Sequence, residues 1–175
     1  MSSVINWFLV WWLRSGRYNW SKMRRWLFER RYLKKDLPVA NSLEEIETYL
    51  KQVKWTMDGP LHLFDCISYP QTTWAKKKDD CDGFSVLAAE LLSRWNTGSN
   101  PVLVTALLRP VQKSHTVCAF TSPQGSLCYF DNAKLRRGNF EGYEDIIEKI
   151  RKDRQLVCWD VRNPFTFEMI QFHRS

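Results

Sequence analysis

One cysteine, one histidine and one aspartate stand in local contexts that suit nucleophilic acyl chemistry. The chain of 175 residues has five cysteines and three histidines. Cys81 opens a stretch with helical periodicity, His115 begins a predicted strand, and Asp131 ends the next one. A thiol nucleophile needs a histidine base and a carboxylate that orients the base. We therefore predict that Cys81, His115 and Asp131 form a catalytic triad.

The position of Cys81 favours it over the other cysteines. A thiol in the first turn of a helix faces backbone amides and the positive end of the helix dipole, and both favour the thiolate. The Cys81 amide could also bind an oxyanion. Three other thiols lie inside apolar strands and the fourth lacks a helix context: Cys118, Cys128, Cys158 and Cys66. The adjacent acids Asp80 and Asp82 oppose a thiolate and are interpreted as helix caps or as contacts near a substrate.

The pairing of two strands decides whether His115 and Asp131 can meet. Side chains alternate between the two faces of a sheet, so a shift of one residue moves Asp131 to the other face. A tight turn that pairs Thr121 with Ser126 would put Asp131 opposite Thr116, on the wrong face. A three-residue loop, or a register that pairs Val117 with Asp131, puts both side chains on one face. The triad hypothesis therefore predicts an odd-length loop or a bulge.

Apolar periodicity outlines the elements that would position these residues. A capping box at Ser42 and Glu45 predicts a helix to about Trp55, and residues 61–75 are predicted to be irregular. Further helices are predicted from Cys81 to Trp95 and across 143–150. Strands are predicted at 102–108, 114–121, 126–131 and 156–161. This order indicates an α+β fold.

Three short motifs then resemble a known superfamily. Asp80-Cys81-Asp82-Gly83-Phe84-Ser85 before a long apolar helix, Ser114-His115-Thr116-Val117 on a strand, and Tyr129-Phe130-Asp131-Asn132 on the next look like the transglutaminase-like core. The resemblance covers about residues 42–165. It implies a transglutaminase-like or papain-like core, in which the nucleophile helix packs on a mostly antiparallel sheet.

The resemblance also implies roles for individual residues. Cys81 would be the nucleophile, His115 the base and Asp131 the group that orients it. The superfamily often adds an oxyanion donor upstream of the cysteine, and three residues are candidates: Trp74, Gln71 and Trp55. Residues expected near the substrate are Asp80, Asp82 and Asn132. There is no calcium-loop pattern, and neither a metal nor a cofactor is expected.

Two functions remain open from the sequence. The first is a cysteine-dependent amide hydrolase or acyl transferase, which acts on a protein or peptide amide through a thioester acyl-enzyme. The second is a catalytically silent transglutaminase-like protein that binds or assembles with a membrane surface, a partner or nucleic acid through its basic N-terminus. Replacing Cys81 with alanine would separate them, because only the first requires the thiol.

The N-terminal fifth of the chain differs from the rest in charge and aromatic content. Residues 1–35 hold nine basic side chains and one acid, Glu29, within a chain of net charge +7. We expect residues 1–37 to be a helical extension and 38–175 the catalytic domain, so that a chain starting at Asn41 would stay folded. The extension is predicted to address an anionic membrane surface or a protein partner; nucleic acid is less expected.

The first tryptophan-rich stretch, residues 4–13, allows two interpretations. It is either a helix packed on the main domain or a partner, or an interfacial helix on lipid. It does not have the pattern of a signal peptide and is too short to span a bilayer. Five cysteines without a CxxC pair fit a reducing compartment, so the sequence predicts a cytoplasmic protein, peripheral at a membrane.

Overall fold

The computed structural model describes residues 7–8, 11–57 and 66–174. Within these ranges the helices are α1 (Arg17–Arg24), α2 (Leu43–Leu50), α3 (Pro70–Lys76), α4 (Cys81–Trp95) and α5 (Tyr143–Arg151). The strands are β1 (Lys54–Trp55), β2 (Lys78–Asp79), β3 (Val102–Arg109), β4 (His115–Thr121), β5 (Leu127–Asp131), β6 (Lys134–Arg137), β7 (Gln155–Arg162) and β8 (Met169–Arg174). Part of the predicted helix at 4–13, and residues 61–65, lie outside the described residues.

Six strands form one antiparallel sheet in the order β6-β5-β4-β3-β7-β8. Alternate side chains supply the two faces, as the pleat requires. On one face Phe120 and Phe130 pack with Phe84 and Leu87 of α4, together with α2. On the other face α5 packs against strand residues that include Val117. The sheet therefore lies between helices, and this confirms the predicted α+β architecture.

The predicted strands and the helix that begins at Cys81 are confirmed, but several boundaries differ. The helix from Ser42 ends at Leu50, because Lys54–Trp55 leaves it to pair in parallel with Lys78–Asp79. The predicted irregular stretch contains α3, in which Pro70 occupies the first turn of the helix, where proline is tolerated. The edge strands β6 and β8 were not predicted.

The capping box at Ser42 forms in part. The Ser42 hydroxyl accepts a hydrogen bond from the Glu45 amide at 3.1 Å. The Glu45 carboxylate accepts from the Asn41 amide at 2.6 Å, one residue before the predicted donor. The helix start is therefore correct, whereas the reciprocal bond is displaced by one residue.

The N-terminal segment is helical, and it buries three of its charged side chains. Helix α1 is flanked by π-helical turns at Trp12–Gly16 and Arg25–Glu29 and by a 3-10 turn at Arg30–Tyr32. Arg17, Arg25 and Glu29 are buried, as is Tyr18, while most of the large apolar residues of the segment are exposed. The charged side chains of this segment therefore do not all face solvent.

Two further expectations concern the extension. The division at residue 37 remains a prediction. A chain starting at Asn41 would lose the buried contacts of α1, including the ion pair between Arg17 and Asp82. No helix among the described residues is long and apolar enough to cross a bilayer.

Candidate active site

Cys81 is the first residue of α4, and two side chains fix this helix start. The Asp80 carboxylate caps the helix by accepting from the Asp82 amide at 3.0 Å and from the Gly83 amide at 3.5 Å. The Ser85 hydroxyl lies 2.8 Å from the carbonyl oxygen of Cys81 and 3.2 Å from that of Thr116 in β4. Because Thr116 follows His115, the Ser85 hydroxyl connects the first turn of α4, which carries Cys81, to strand β4, which carries His115.

Close packing explains the glycine two residues after the cysteine. A Cβ atom at Gly83 would collide with the carboxylate of Asp79. That carboxylate is held by the Thr73 hydroxyl at 2.5 Å and by the Asp80 amide at 3.0 Å. The chain can therefore enter α4 along this path only if position 83 lacks a side chain.

The β4–β5 register brings His115 and Asp131 together. Thr121 pairs with Leu127 and Cys118 with Phe130, so the same register puts Asp131 opposite Val117. The connecting loop, residues 122–126, has five residues, and the predicted odd-length loop is correct. The His115 Nε2 atom lies 2.8 Å from the Asp131 Oδ1 atom.

The charge of Asp131 settles which ring nitrogen carries the proton. Its hydrogen bond with His115 is the largest influence and holds the pKa of the carboxyl below its usual value, against the opposing effect of partial burial. Arg136 adds to this, with its guanidinium 3.6 Å from Asp131 Oδ2. An ionised carboxylate only accepts hydrogen bonds. The Nε2 atom of His115 therefore donates to Asp131, and Nδ1 is left to accept a proton elsewhere.

One cleft of about 340 Å³ is lined by Cys81, His115 and Asp131. Trp55, an oxyanion candidate, and Asn132, a substrate-vicinity candidate, line it too. Trp55 reaches the cleft because β1 pairs with β2 directly before α4. Asn132 lies in the turn after Asp131 with a positive φ of 51°, which asparagine adopts more readily than most residues.

The other two oxyanion candidates lie elsewhere. Trp74 packs edge-on against Tyr49, with ring centroids 5.9 Å apart, and Lys77 lies over its ring. Gln71 is on α3. Among the described residues, neither is in the lining of the cleft.

The cleft also has a basic rim that the sequence analysis missed. Four cations contribute to the lining: Lys113, Lys149, Lys152 and Arg154. Three of them follow one another closely at the end of α5, so a local basic run was visible in the sequence. Only the fold, however, reveals that this run lies beside Cys81.

The acids next to Cys81 have specific partners within the fold. Asp82 is buried and forms an ion pair with Arg17 at 3.0 Å, while Asp80 caps the helix. These contacts offset the negative charge that would otherwise oppose a thiolate at Cys81. The interpretation of Asp80 as a helix cap agrees with the structure, and its role near a substrate remains a prediction, as does that of Asp82.

Burial separates Cys81 from the other thiols. The other four cysteines are buried, whereas Cys81 is partly exposed. Burial raises the pKa of the Cys118 thiol well above its usual value, and it also raises the pKa of Cys128. These thiols are therefore poor nucleophiles in the folded protein.

Comparison with solved structures relates this arrangement to a known fold. Calcium-bound LapG from Legionella pneumophila is 18% identical, over 81% of this chain and 71% of LapG, with a TM-score of 0.50. EGTA-treated LapG and a further LapG structure give TM-scores of 0.49 at 18% identity, over 81% of this chain and 69% and 71% of LapG. LapG has a transglutaminase-like core. The fold is transglutaminase-like. No protein-family model matches the chain, and no curated protein matches its sequence.

The calcium in one LapG structure raises the question of whether residues here fit that ion. Within the described ranges, the group that could hold a cation is Asp80, Cys81 and Asp82. Calcium takes about six to eight oxygen ligands. Here one donor is sulfur, one carboxylate caps a helix and the other pairs with Arg17. This group does not fit calcium, and no step below involves a metal.

Proposed function

We propose that this protein is a cysteine-dependent amide hydrolase or acyl transferase. The observation that carries the proposal is the shared cleft of Cys81, His115 and Asp131, in which the His115–Asp131 hydrogen bond is already formed at 2.8 Å. The transglutaminase-like fold supports it, since that superfamily contains enzymes that use a Cys-His-Asp triad.

The reaction begins with transfer of the Cys81 proton to Nδ1 of His115. The sulfur then attacks the amide carbonyl carbon, and its electron pair forms the C–S bond of a tetrahedral oxyanion. The imidazolium returns the proton to the departing amine as the C–N bond breaks, leaving a thioester on Cys81. Water or an acceptor amine then attacks the thioester while His115 takes its proton; the C–S bond breaks, and the imidazolium returns that proton to sulfur, which restores the Cys81 thiol.

The charge that develops on the carbonyl oxygen needs hydrogen-bond donors. We assign this role to the backbone amide of Cys81, at the positive end of α4, and to the indole N–H of Trp55. Trp55 is about half exposed at the cleft, so its ring can close over a bound substrate.

The basic rim bears on the class of substrate. Four cations surround a cleft in which Asp131 is the acid, and its carboxylate already accepts a hydrogen bond from His115 and lies close to Arg136. The net field at the cleft therefore attracts anions. We propose a peptide or protein substrate with acidic residues close to the scissile amide.

Thiol labelling tests the activated nucleophile without knowledge of the substrate. Iodoacetamide at neutral pH, followed by peptide mapping, is expected to modify Cys81 at least about tenfold faster than any other cysteine. The His115→Ala variant should lose most of that advantage, because the imidazolium that stabilises the thiolate is gone. Equal reactivity of all five thiols, or slowest reaction at Cys81, would disprove the proposal.

Peptide cleavage or amine incorporation would then define the reaction. Acidic peptide mixtures incubated with the protein, with and without a primary amine, are analysed by mass spectrometry for hydrolysed and aminated products. Cys81→Ala is the matched control. Biological activity that survives Cys81→Ala would favour the catalytically silent binding function instead.

A further inference from the structure

The helical segment at the N-terminus places its large apolar side chains on the outside. Six of them form what we call the N-terminal apolar face: Trp20, Met23, Trp26, Leu27, Phe28 and Leu33. All six are exposed, with Trp26 at 59% and Phe28 at 68% of full exposure. Trp7, Phe8 and Trp11 are exposed as well. Four of the six, Trp20, Met23, Leu27 and Phe28, line one groove, and an exposed apolar cluster of this kind marks a site of interaction.

Buried polar contacts fix the rotation of the segment, so this face cannot turn inwards. Arg25 donates from Nε to the Ile67 carbonyl at 2.8 Å and also contacts the Ser68 carbonyl. Glu29, only 2% exposed, accepts from the Tyr69 amide at 2.9 Å. Rotation of the apolar face into the core would leave the Ile67 and Ser68 carbonyls and the Tyr69 amide without these partners, and unsatisfied buried polar groups are costly.

The exposed charges between Arg17 and Lys35 have one sign, and the exposed acid Asp36 follows them. Glu29 is the sole acid of residues 1–35, and it is buried. The exposed charged residues between Arg17 and Lys35 are Lys22, Arg30, Arg31, Lys34 and Lys35. A protein interface is depleted in lysine, whereas tryptophan flanked by lysine and arginine matches the headgroup region of an anionic bilayer.

A groove on the same face has the chemistry of a lipid chain and its headgroup. It has a volume of about 440 Å³ and is lined by Trp20, Met23, Leu27, Phe28, Cys66 and one cation, Arg24. The lining is almost wholly apolar apart from Arg24, whose guanidinium also pairs with Glu29 at 2.9 Å. An acyl chain would bury in this groove while its phosphate contacts the guanidinium.

We propose that the N-terminal apolar face docks this protein on the surface of an anionic lipid bilayer. The segment lies in the plane of the interface, with its tryptophans and Phe28 at the level of the headgroups and the exposed cations on lipid phosphates. The buried side of the segment stays on the protein, so docking needs no unfolding and is independent of the thiol chemistry at Cys81.

Vesicle flotation of the full chain tests this proposal. Vesicles of mixed phosphatidylcholine and phosphatidylglycerol should bind the protein at low ionic strength, with a blue shift of tryptophan emission, and pure phosphatidylcholine should bind it much less. The variant with Lys34→Glu and Lys35→Glu should partition more than about tenfold less, because each cation near the surface contributes roughly 1 kcal/mol. Salt should weaken binding in the same way.

Matched variants separate docking from folding and from catalysis. Trp26→Ser with Phe28→Ser removes apolar area while leaving the buried contacts in place, so it should keep the melting temperature and lose vesicle binding. Ile170→Ser and Lys134→Glu, exposed elsewhere in the fold, should bind as the parent does. Cys81→Ala should bind too. No flotation at low salt, or a solution dimer that Trp26→Ser with Phe28→Ser dissociates, would overturn the proposal.

Discussion

Most of the buried side chains of α4 are apolar, whereas the N-terminal segment buries three charged side chains and exposes Trp20 and Trp26. Phe84, Leu87 and Leu92 are fully buried in α4, and Glu90 pairs with Arg94 near the surface. In the N-terminal segment Glu29 is buried and Trp26 is exposed. The N-terminal segment therefore buries charged side chains and exposes large apolar ones, whereas α4 buries mainly apolar side chains.

The difference lies in what each buried side chain requires. An apolar side chain is stabilised by burial in any well-packed environment, because the driving force is not directional. A buried charge requires donors or acceptors at defined positions, or the desolvation cost is not offset. The orientation of α1 thus depends on the backbone of residues 67–69, which the local sequence of α1 does not reveal.

Truncation of one large side chain in α4 and one in the N-terminal segment should give the largest difference in the free energy of unfolding. Phe84→Ala in α4 is expected to lower the free energy of unfolding by about 3–5 kcal/mol, as loss of a buried aromatic does. Trp26→Ala should change it by less than about 0.5 kcal/mol, because the ring is exposed. Urea unfolding followed by circular dichroism measures both.

For acidic residues the expected order is reversed: a substitution in the N-terminal segment should cost more stability than one in α4. Glu29→Gln is expected to cost about 1–3 kcal/mol, since it weakens the contacts to Tyr69 and Thr72 and leaves Arg24 without its carboxylate. Glu90→Gln should stay within about 0.5 kcal/mol. A large loss for Trp26→Ala together with none for Glu29→Gln would refute the inverted orientation of the segment.

The ion pair between Arg17 and Asp82 joins the two helices and provides the second prediction. Both side chains are buried, so Arg17→Met should cost about 3 kcal/mol by leaving Asp82 without its cation. Adding Asp82→Asn should recover part of this loss, because the buried charge is then removed. Additive losses in this double-mutant cycle would mean that the two residues are not coupled.

The same pair should affect the cleft. Without the Arg17 cation, the Asp82 carboxylate next to Cys81 opposes the thiolate more strongly. Arg17→Met is therefore expected to slow iodoacetamide labelling of Cys81 at neutral pH, and Arg17→Met with Asp82→Asn should restore it. Arg151→Met, which disrupts an exposed pair with Glu148, is the control and should change neither stability nor labelling.

Features that depend on local periodicity could be predicted from the sequence, whereas contacts between distant parts of the chain could not. Helix α4 and the paired strands carry their periodicity locally, so Cys81, His115 and Asp131 could be placed before the fold was known. The odd-length loop followed from the triad hypothesis together with the alternation of side chains along a strand. The edge strands escaped prediction because short, half-exposed strands have a weak pattern. The partners of Arg25 and Glu29 escaped because they lie about forty residues away in the chain.

The cleft provides a third prediction, with a smaller effect than the stability changes. If the basic rim attracts anions, Cys81 should react with iodoacetate faster, relative to iodoacetamide, than a free thiol does. Lys149→Glu with Lys152→Glu should reduce that ratio several-fold, as should high salt. Lys34→Glu, on the N-terminal segment, should leave it unchanged. An identical ratio in the cleft variant would exclude an electrostatic preference of the cleft.

The pH dependence of stability should show the smallest effect, and it compares Asp131 in the cleft with Glu44 at the surface. The hydrogen bond from His115 lowers the pKa of Asp131 in the folded protein, and Arg137 lowers that of Glu44. A carboxyl whose folded pKa lies below its unfolded value binds more protons when unfolded, so stability rises with pH through this range. Both contributions are present above the ordinary carboxyl pKa and are lost as the pH falls through the folded value.

Salt should distinguish the two carboxyls. The Glu44–Arg137 pair is exposed on both sides, so its contribution is screened, whereas Asp131 is partly buried against His115 and Arg136. Asp131→Asn should therefore flatten the loss of unfolding free energy between about pH 6 and about pH 3 at low and at high salt. Glu44→Gln should flatten it at low salt only. Asp131→Asn could instead leave the loss of unfolding free energy at acid pH unchanged. The hydrogen bond from His115 would then not hold the carboxylate in its ionised form, and the assignment of the proton to Nε2 would be refuted.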